Sequence, residues 1–108
     1  MAYKTKYMRY IEELQKRVPN VIKGFRHELN AWSRYSFVYR YNEDFSIELD
    51  PEYFHSKTMS VDKWHIYLWE RLIGCDGDLI LKHEYIEDEN EIPKRVEEYK
   101  NYIANLPD

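Results

Sequence analysis

Tyr3, Tyr7, Ile11, Leu14 and Val18 recur at steps of three and four residues, which lines one face of an amphipathic helix. Pro19 ends that helix, because the residue before a proline is pushed out of helical geometry. Asn20 can cap a second, shorter helix whose apolar positions are Ile22, Phe25, Leu29 and Trp32. Gly24 inside it is unfavourable by about 1 kcal/mol relative to Ala.

The period changes at Tyr35. Tyr35, Phe37, Tyr39 and Tyr41 alternate with Ser36, Val38 and Arg40, and Phe45, Ile47 and Leu49 alternate with Ser46, Glu48 and Asp50. Two such runs around Asn42-Glu43-Asp44 predict a β-hairpin. Asp50-Pro51 should end its second strand, since proline donates nothing to a ladder, and residues 51–59 read as irregular. Ser60 can cap a third helix over residues 61–73, with Val61, Trp64, Leu68 and Leu72 as its stripe and Gly74 just past its end. A rival reading takes Trp64-His65-Ile66-Tyr67-Leu68 as a strand, with Asp76-Gly77 turning a hairpin. The helix is preferred because both its ends carry stop signals. Leu79 to Ile86 reads as a strand, residues 87–91 as an acidic loop, and Ile92, Val96, Tyr99, Ile103 and Leu106 as the stripe of a last helix. Pro93 is tolerated in its first turn. The expected fold is therefore α+β: a small three-stranded, largely antiparallel sheet packed against helices, in the order α-α-β-β-α-β-α. Arg40 and Lys82 would protect its edges.

With 108 residues, one globular domain spanning 1–108 is expected. Apolar residues make up 44% of the chain, which is too many for a disordered one. No stretch approaches the about 18 apolar residues of a transmembrane helix. Met1-Ala2-Tyr3-Lys4 leads into no apolar run, and a lone cysteine, Cys75, allows no internal disulfide. Both favour a cytoplasmic setting. The net charge of −4 hides an asymmetry: residues 1–40 carry nine basic and three acidic side chains, residues 41–108 seven and seventeen. Such a split points to interaction surfaces.

Motifs for chemistry are sparse. Three scattered glycines build no phosphate loop, and the metalloprotease, paired-cysteine and nucleophile-elbow patterns are missing. His27-Glu28 and His83-Glu84 are adjacent pairs whose members point apart on a helix or a strand, so neither forms a local ligand pair. His27, His55, His65 and His83 are expected in structural or surface roles. Asp76 and Asp78 flank Gly77 and could hold Mg²⁺ with Glu84, but a plain turn explains them as well. No cofactor is expected, and a metal-dependent enzyme is the weakest of three function classes.

The first of those classes is a non-enzymatic, protein-binding module. Glu84, Glu87, Asp88, Glu89, Glu91, Glu97 and Glu98, with Tyr85 and Tyr99 as anchors, would form an acidic face. Such carboxylates can stand in for phosphates and occupy a basic, nucleic-acid-binding surface of a larger protein. Small inhibitors or adaptors of the phage counter-defence and toxin-immunity kinds share this composition, which is an analogy only. The second class is a nucleic-acid binder using Lys4, Lys6, Arg9, Lys23, Arg26, Arg34 and Arg40, with aromatics interleaved among them. An acidic pI near 5.6 weighs against it.

Overall fold

A computed structural model describes residues 9, 12–14, 16, 23–29, 35–55, 58, 60–72 and 77–107. Five strands form one sheet: β1 (Arg26–Leu29), β2 (Tyr35–Arg40), β3 (Phe45–His55), β4 (Ser60–Arg71) and β5 (Asp78–Ile86). All neighbours pair antiparallel, and their order across the sheet is their order along the chain. A 3₁₀ turn at Glu89–Glu91 leads into helix α1 (Ile92–Ala104). Arg9, Glu12–Leu14 and Lys16 are also helical. The α+β class holds in general, but the three-stranded, helix-rich order is overturned.

The β2–β3 hairpin is the one the alternation predicts. Asn42 Oδ1 accepts hydrogen bonds from the amides of Asp44 (2.8 Å) and Phe45 (2.9 Å), and the Tyr41 amide donates to the Phe45 carbonyl at 3.0 Å. This is the local bonding that suits asparagine to a turn. Strand β3 does not stop at Pro51: it continues to His55, with Pro51 opposite Trp64. The recorded pairing of β2 with β3 ends at Phe37–Leu49. Pro51 lies beyond that point, where the β2 ladder no longer calls on its amide, so strand geometry is permitted.

Two expected helices are strands. Around Gly24 the chain turns with φ +84°, which glycine adopts without strain, and Arg26–Leu29 then extends as β1. Phe25 leaves this turn to pack at a tilt against Tyr39, ring centroids 5.6 Å apart. Ile22 and Trp32 lie outside the described residues. The expected 61–73 helix is β4, which pairs with β3 from Ser60 to Glu70. Trp64, Ile66 and Leu68, at alternate positions, are fully buried on one face, while His65 and Tyr67 between them are nearly buried on the other. A strand buried on both faces carries large side chains at every position. Helical spacing can then be picked out of it by chance.

One face of the sheet makes the core. Phe37, Ile47, Leu49, Trp64, Ile66, Leu68 and Ile86 meet Leu14 and the buried stripe of α1, Ile92, Val96, Tyr99 and Ile103. That stripe is the one expected from the sequence. Of the first expected stripe only Leu14 is described, and it is buried. Among the described residues no helix is long and apolar enough to cross a membrane. Ile47→Ala should lower stability by about 2–5 kcal/mol, as large-to-small changes in a closed core do. Ile80→Ser on β5 should stay within about 0.5 kcal/mol. Urea unfolding followed by tryptophan fluorescence checks both, and equal losses would contradict this placement of the core.

Candidate functional site

The face of the sheet away from the core carries an unusual set of side chains. Side chains two residues apart on a strand share a face, so Glu48, Asp50 and Glu52 of β3 project together. Register sets Val38, Glu48, Tyr67 and His83 in one row, Asp50, His65 and Tyr85 in the next, and Glu52 opposite Lys63 in a third. Ser36 lies beside Val38 on the same face, and Arg26 pairs across from Val38. The centre of this face is dry: Ser36 is 1% exposed, Glu48 5%, His65 7% and Tyr67 8%. Asp50, Glu52 and Lys63 are half-buried, and His83 and Tyr85 are exposed at the β5 margin.

The two histidines and Tyr67 are connected. Tyr67 OH and His65 Nδ1 share a hydrogen bond of 2.7 Å, and His65 Nε2 and His83 Nδ1 one of 3.1 Å. The His65 ring stacks on Tyr67 at 3.9 Å between centroids and leans on Tyr85 at 4.2 Å. Burial, then His83 and Lys63, lower the His65 pKa, so it is neutral near pH 7. Its 3.9 Å approach to Glu52 is therefore no ion pair under those conditions. Burial, with Asp50, Glu48 and Glu52 nearby, raises the Tyr67 pKa and keeps its hydroxyl protonated.

Asp50 is the most perturbed carboxyl. Desolvation and the Glu48 carboxyl beside it, with a smaller contribution from Glu52, push its pKa up to about 9 against a slight opposing pull from the Ser36 hydroxyl. Among the described residues no cation acts on it. Asp50 Oδ1 and Ser36 Oγ are both buried, with the Ser36 hydroxyl set against the Asp50 carboxyl. At neutral pH this face thus holds an un-ionised carboxylic acid between two other carboxyls. Perturbed groups gathered at one place are a pointer to function.

The acidic face expected from the sequence is dispersed. Glu84 and Glu98 both meet Arg95, at 3.9 and 3.1 Å, and Glu97 meets Lys100 at 3.5 Å. Glu89 accepts a hydrogen bond from Trp64 Nε1 (3.2 Å), and Asp88 caps the 3₁₀ turn through the Asn90 amide (3.0 Å). Glu87 and Glu91 are exposed. Tyr99 is wholly buried in the core, and Tyr85 lies on the opposite face of the sheet. Of the basic set, Arg9, Lys23, Arg26 and Arg40 are exposed, while Lys4, Lys6 and Arg34 lie outside the described residues. Tyr39 packs at a tilt against Phe25 and carries the Lys100 ammonium 4.4 Å from its ring centroid, so its ring is already engaged within the fold. Asp76 and Cys75 are likewise outside the described residues. Asp78 is exposed opposite Arg71, and no three described His, Cys, Asp or Glu residues are placed to hold a metal ion.

A second feature lies along the sheet margin. Strand β5 is an edge strand. Leu79 (45%), Ile80 (37%), Tyr85 (53%) and Tyr102 (41%) are the large apolar side chains exposed among the described residues. The first three are on β5. Tyr102 of α1 reaches β5 through Lys82, whose ammonium is 5.4 Å from its ring centroid. Beside Tyr102, a hollow of about 520 Å³ is lined by Tyr41, Phe45, Leu81 and Leu106. Compared with known proteins, the chain matches no family, no curated protein and no solved structure.

The Asp50 carboxyl makes stability depend on pH with a defined sign. Its pKa is about 9 folded against 3.8 unfolded, so between these values the folded chain holds the extra proton. Stability then falls as pH rises through that window and stops falling above about pH 9. His65 acts oppositely, but only as pH drops below its ordinary value of 6.5. Between pH 7 and 9 the urea midpoint should therefore decline in the native protein and stay level in Asp50→Asn. The same decline in both proteins would show that Asp50 is not its source.

Proposed function

We propose that this protein is a non-enzymatic binding module that docks on a larger, basic protein surface through the β5 edge. The observation that supports this reading is the exposure of Leu79, Ile80 and Tyr85 along β5, the edge strand among the described residues, with Tyr102 of α1 exposed near it and Glu87 and Glu91 exposed just beyond it. Exposed apolar patches with polar rims mark protein interfaces, and tyrosines serve there as anchors. A free strand edge can also take up an extended segment of a partner. The carboxylates would speed encounter with a basic surface and select it more than they would tighten the complex. An inhibitor or adaptor, in the cytoplasm where the single cysteine is at home, is the form this reading takes. The acidic residues bonded within the fold, Glu84, Glu89, Glu97 and Glu98, serve the fold's own contacts in this reading, and Tyr99 serves the core.

A photo-crosslinking residue placed at Ile80 should yield a discrete protein adduct in host lysate that survives nuclease, whereas the same probe at Lys94 on α1 should yield none. Joint Glu87→Lys and Glu91→Lys reversal should reduce the adduct at least tenfold while shifting stability by no more than about 0.5 kcal/mol. Adducts of equal yield at both positions, or indifferent to the reversal, would remove the β5 edge as the docking site. Adducts lost on nuclease treatment would favour nucleic acid on Arg9, Lys23, Arg26 and Arg40 instead.

A further inference from the structure

We propose that the hollow at the C-terminal end of α1 is a binding site for an organic ammonium ion, an amine carried on an apolar body. This inference concerns the core side of the sheet and does not depend on docking through the β5 edge.

The hollow has the size and the walls of a small-ligand site. Its volume is about 520 Å³, within the range of about 300–1,000 Å³ usual for such sites. Tyr41 from the β2–β3 hairpin, Phe45 from β3, Leu81 from β5 and Ile103 from α1 supply its apolar lining. Ile103 belongs to the closed core, and the other three are half-buried and pack against it. The lining is therefore held by the same packing that holds the fold, and the shape exists before a ligand arrives.

Its charge has one sign. Asp44 and Glu70 line the hollow, and no basic side chain among the described residues does. Glu70 is half-buried and stands between Phe45 and Leu79 in the register, on the side of the sheet that α1 covers. Arg71, next along β4, alternates to the opposite side. Neither Asp44 nor Glu70 forms an ion pair with a described residue. Helix α1 adds to this field. Ile103 and Ala104 from its end line the hollow, and its last turn carries no basic residue. The negative end of the helix dipole thus meets the hollow without a cation of its own in that turn.

The aromatic wall also suits a cation. Tyr102 stands at the rim, and its ring centroid already lies 5.4 Å from the Lys82 ammonium. Lys82 is set against Tyr99 as well, at 5.1 Å, and is not part of the lining. These features select among ligands. An anion meets two carboxylates and a helix C-terminus. A neutral apolar molecule covers the carboxylates and gives them nothing in return. A metal ion lacks a described cluster of three ligating groups. An ammonium on an apolar body meets both demands: the body lies on Phe45, Leu81 and Ile103, and the N–H groups donate to Glu70 beside the tyrosine rings.

Isothermal titration with two probes tests this. 2-Phenylethylamine carries the group as a free amine would, and N-acetyl-L-lysine methylamide carries it as a protein side chain would. Saturable binding of at least one probe at pH 7, weakening as salt is added, is the expected result, and the tighter probe assigns the source. 2-Phenylethanol, which has the same body without the charge, should bind at least tenfold more weakly than 2-phenylethylamine. Glu70→Gln should weaken the ammonium probe at least tenfold, while Glu97→Gln, which pairs with Lys100 away from the hollow, should not change it. Methyl NMR of the unmodified protein locates the site without a variant: the Leu81, Ile103 and Ala104 signals should move on binding, and the Val38 signals on the opposite side should not. No binding of either probe, equal affinity for 2-phenylethanol, or shifts confined to residues outside the hollow would overturn the proposal. Failure of the β5 crosslinking experiment would leave it standing, because that probe reports on a protein docked at Ile80.

Discussion

Strand β4 has to satisfy two surroundings at once, and the rest of the molecule is arranged by how it does so. On one side Trp64, Ile66 and Leu68 are sealed beneath α1 and Leu14. On the other, His65 and Tyr67 are almost as inaccessible yet carry polar atoms that need partners. Burying polar atoms is tolerable only when they are hydrogen-bonded. The neighbouring strands therefore present bonding groups at matching positions. The row containing Tyr67 brings Glu48 and His83 beside it, and the row containing His65 brings Asp50 and Tyr85. A register slip by one residue would exchange the two sets, setting carboxyls against Tyr99 and isoleucines against histidines. Polar bonding on one side and apolar packing on the other thus specify the same pairing.

The polar side is not optimised for stability. Two carboxyls that share a dry face cannot both ionise cheaply, and Asp50 answers by keeping its proton. An apolar residue there would remove the conflict. Departures of this kind from local consistency are characteristic of places where a protein does something besides fold. On the helix-covered side the charged contacts described, such as Arg95 with Glu84 and Glu98, lie at the rim.

How much of this could be read from the chain depends on which period dominated locally. The hairpin was legible because Tyr35–Tyr41 and Phe45–Leu49 alternate cleanly around a turn that asparagine closes. Helix α1 was legible because Ile92, Val96, Tyr99 and Ile103 have polar residues between them. Strand β4 was not, because Trp64 to Trp69 is large and mostly apolar throughout, and a two-faced strand loses the alternation that identifies strands. That error concealed the site. A helix over residues 61–73 gives His65 and Tyr67 no reason to meet Asp50, and sequence adjacency pairs His83 with Glu84 rather than with His65. The Glu48-x-Asp50-x-Glu52 spacing was visible, but alternate carboxylates are also what a solvated strand face displays. Only the register of β3, β4 and β5 shows that this face is dry. Tyr99 was misjudged for the opposite reason: its position on the buried stripe outweighs its acidic neighbours.

In the sheet, spatial order repeats chain order from β1 to β5. Each strand therefore docks on the one made just before it, and no pairing among the described residues waits for a distant segment. Such local topology favours rapid folding, because little chain entropy is lost before contacts form. It also permits the sheet to grow strand by strand during synthesis. The exception is α1. The segment that covers Phe37, Ile47 and Ile66 follows all five strands in the chain. Until it arrives, a nascent sheet displays its greasy side beside an open edge, the combination most prone to wrong association. The interval between emergence of Ile86 and docking of Ile103 is thus the most vulnerable moment in the life of the chain. The 3₁₀ turn, fastened to β4 by the Trp64–Glu89 hydrogen bond, holds the start of α1 in place and shortens it.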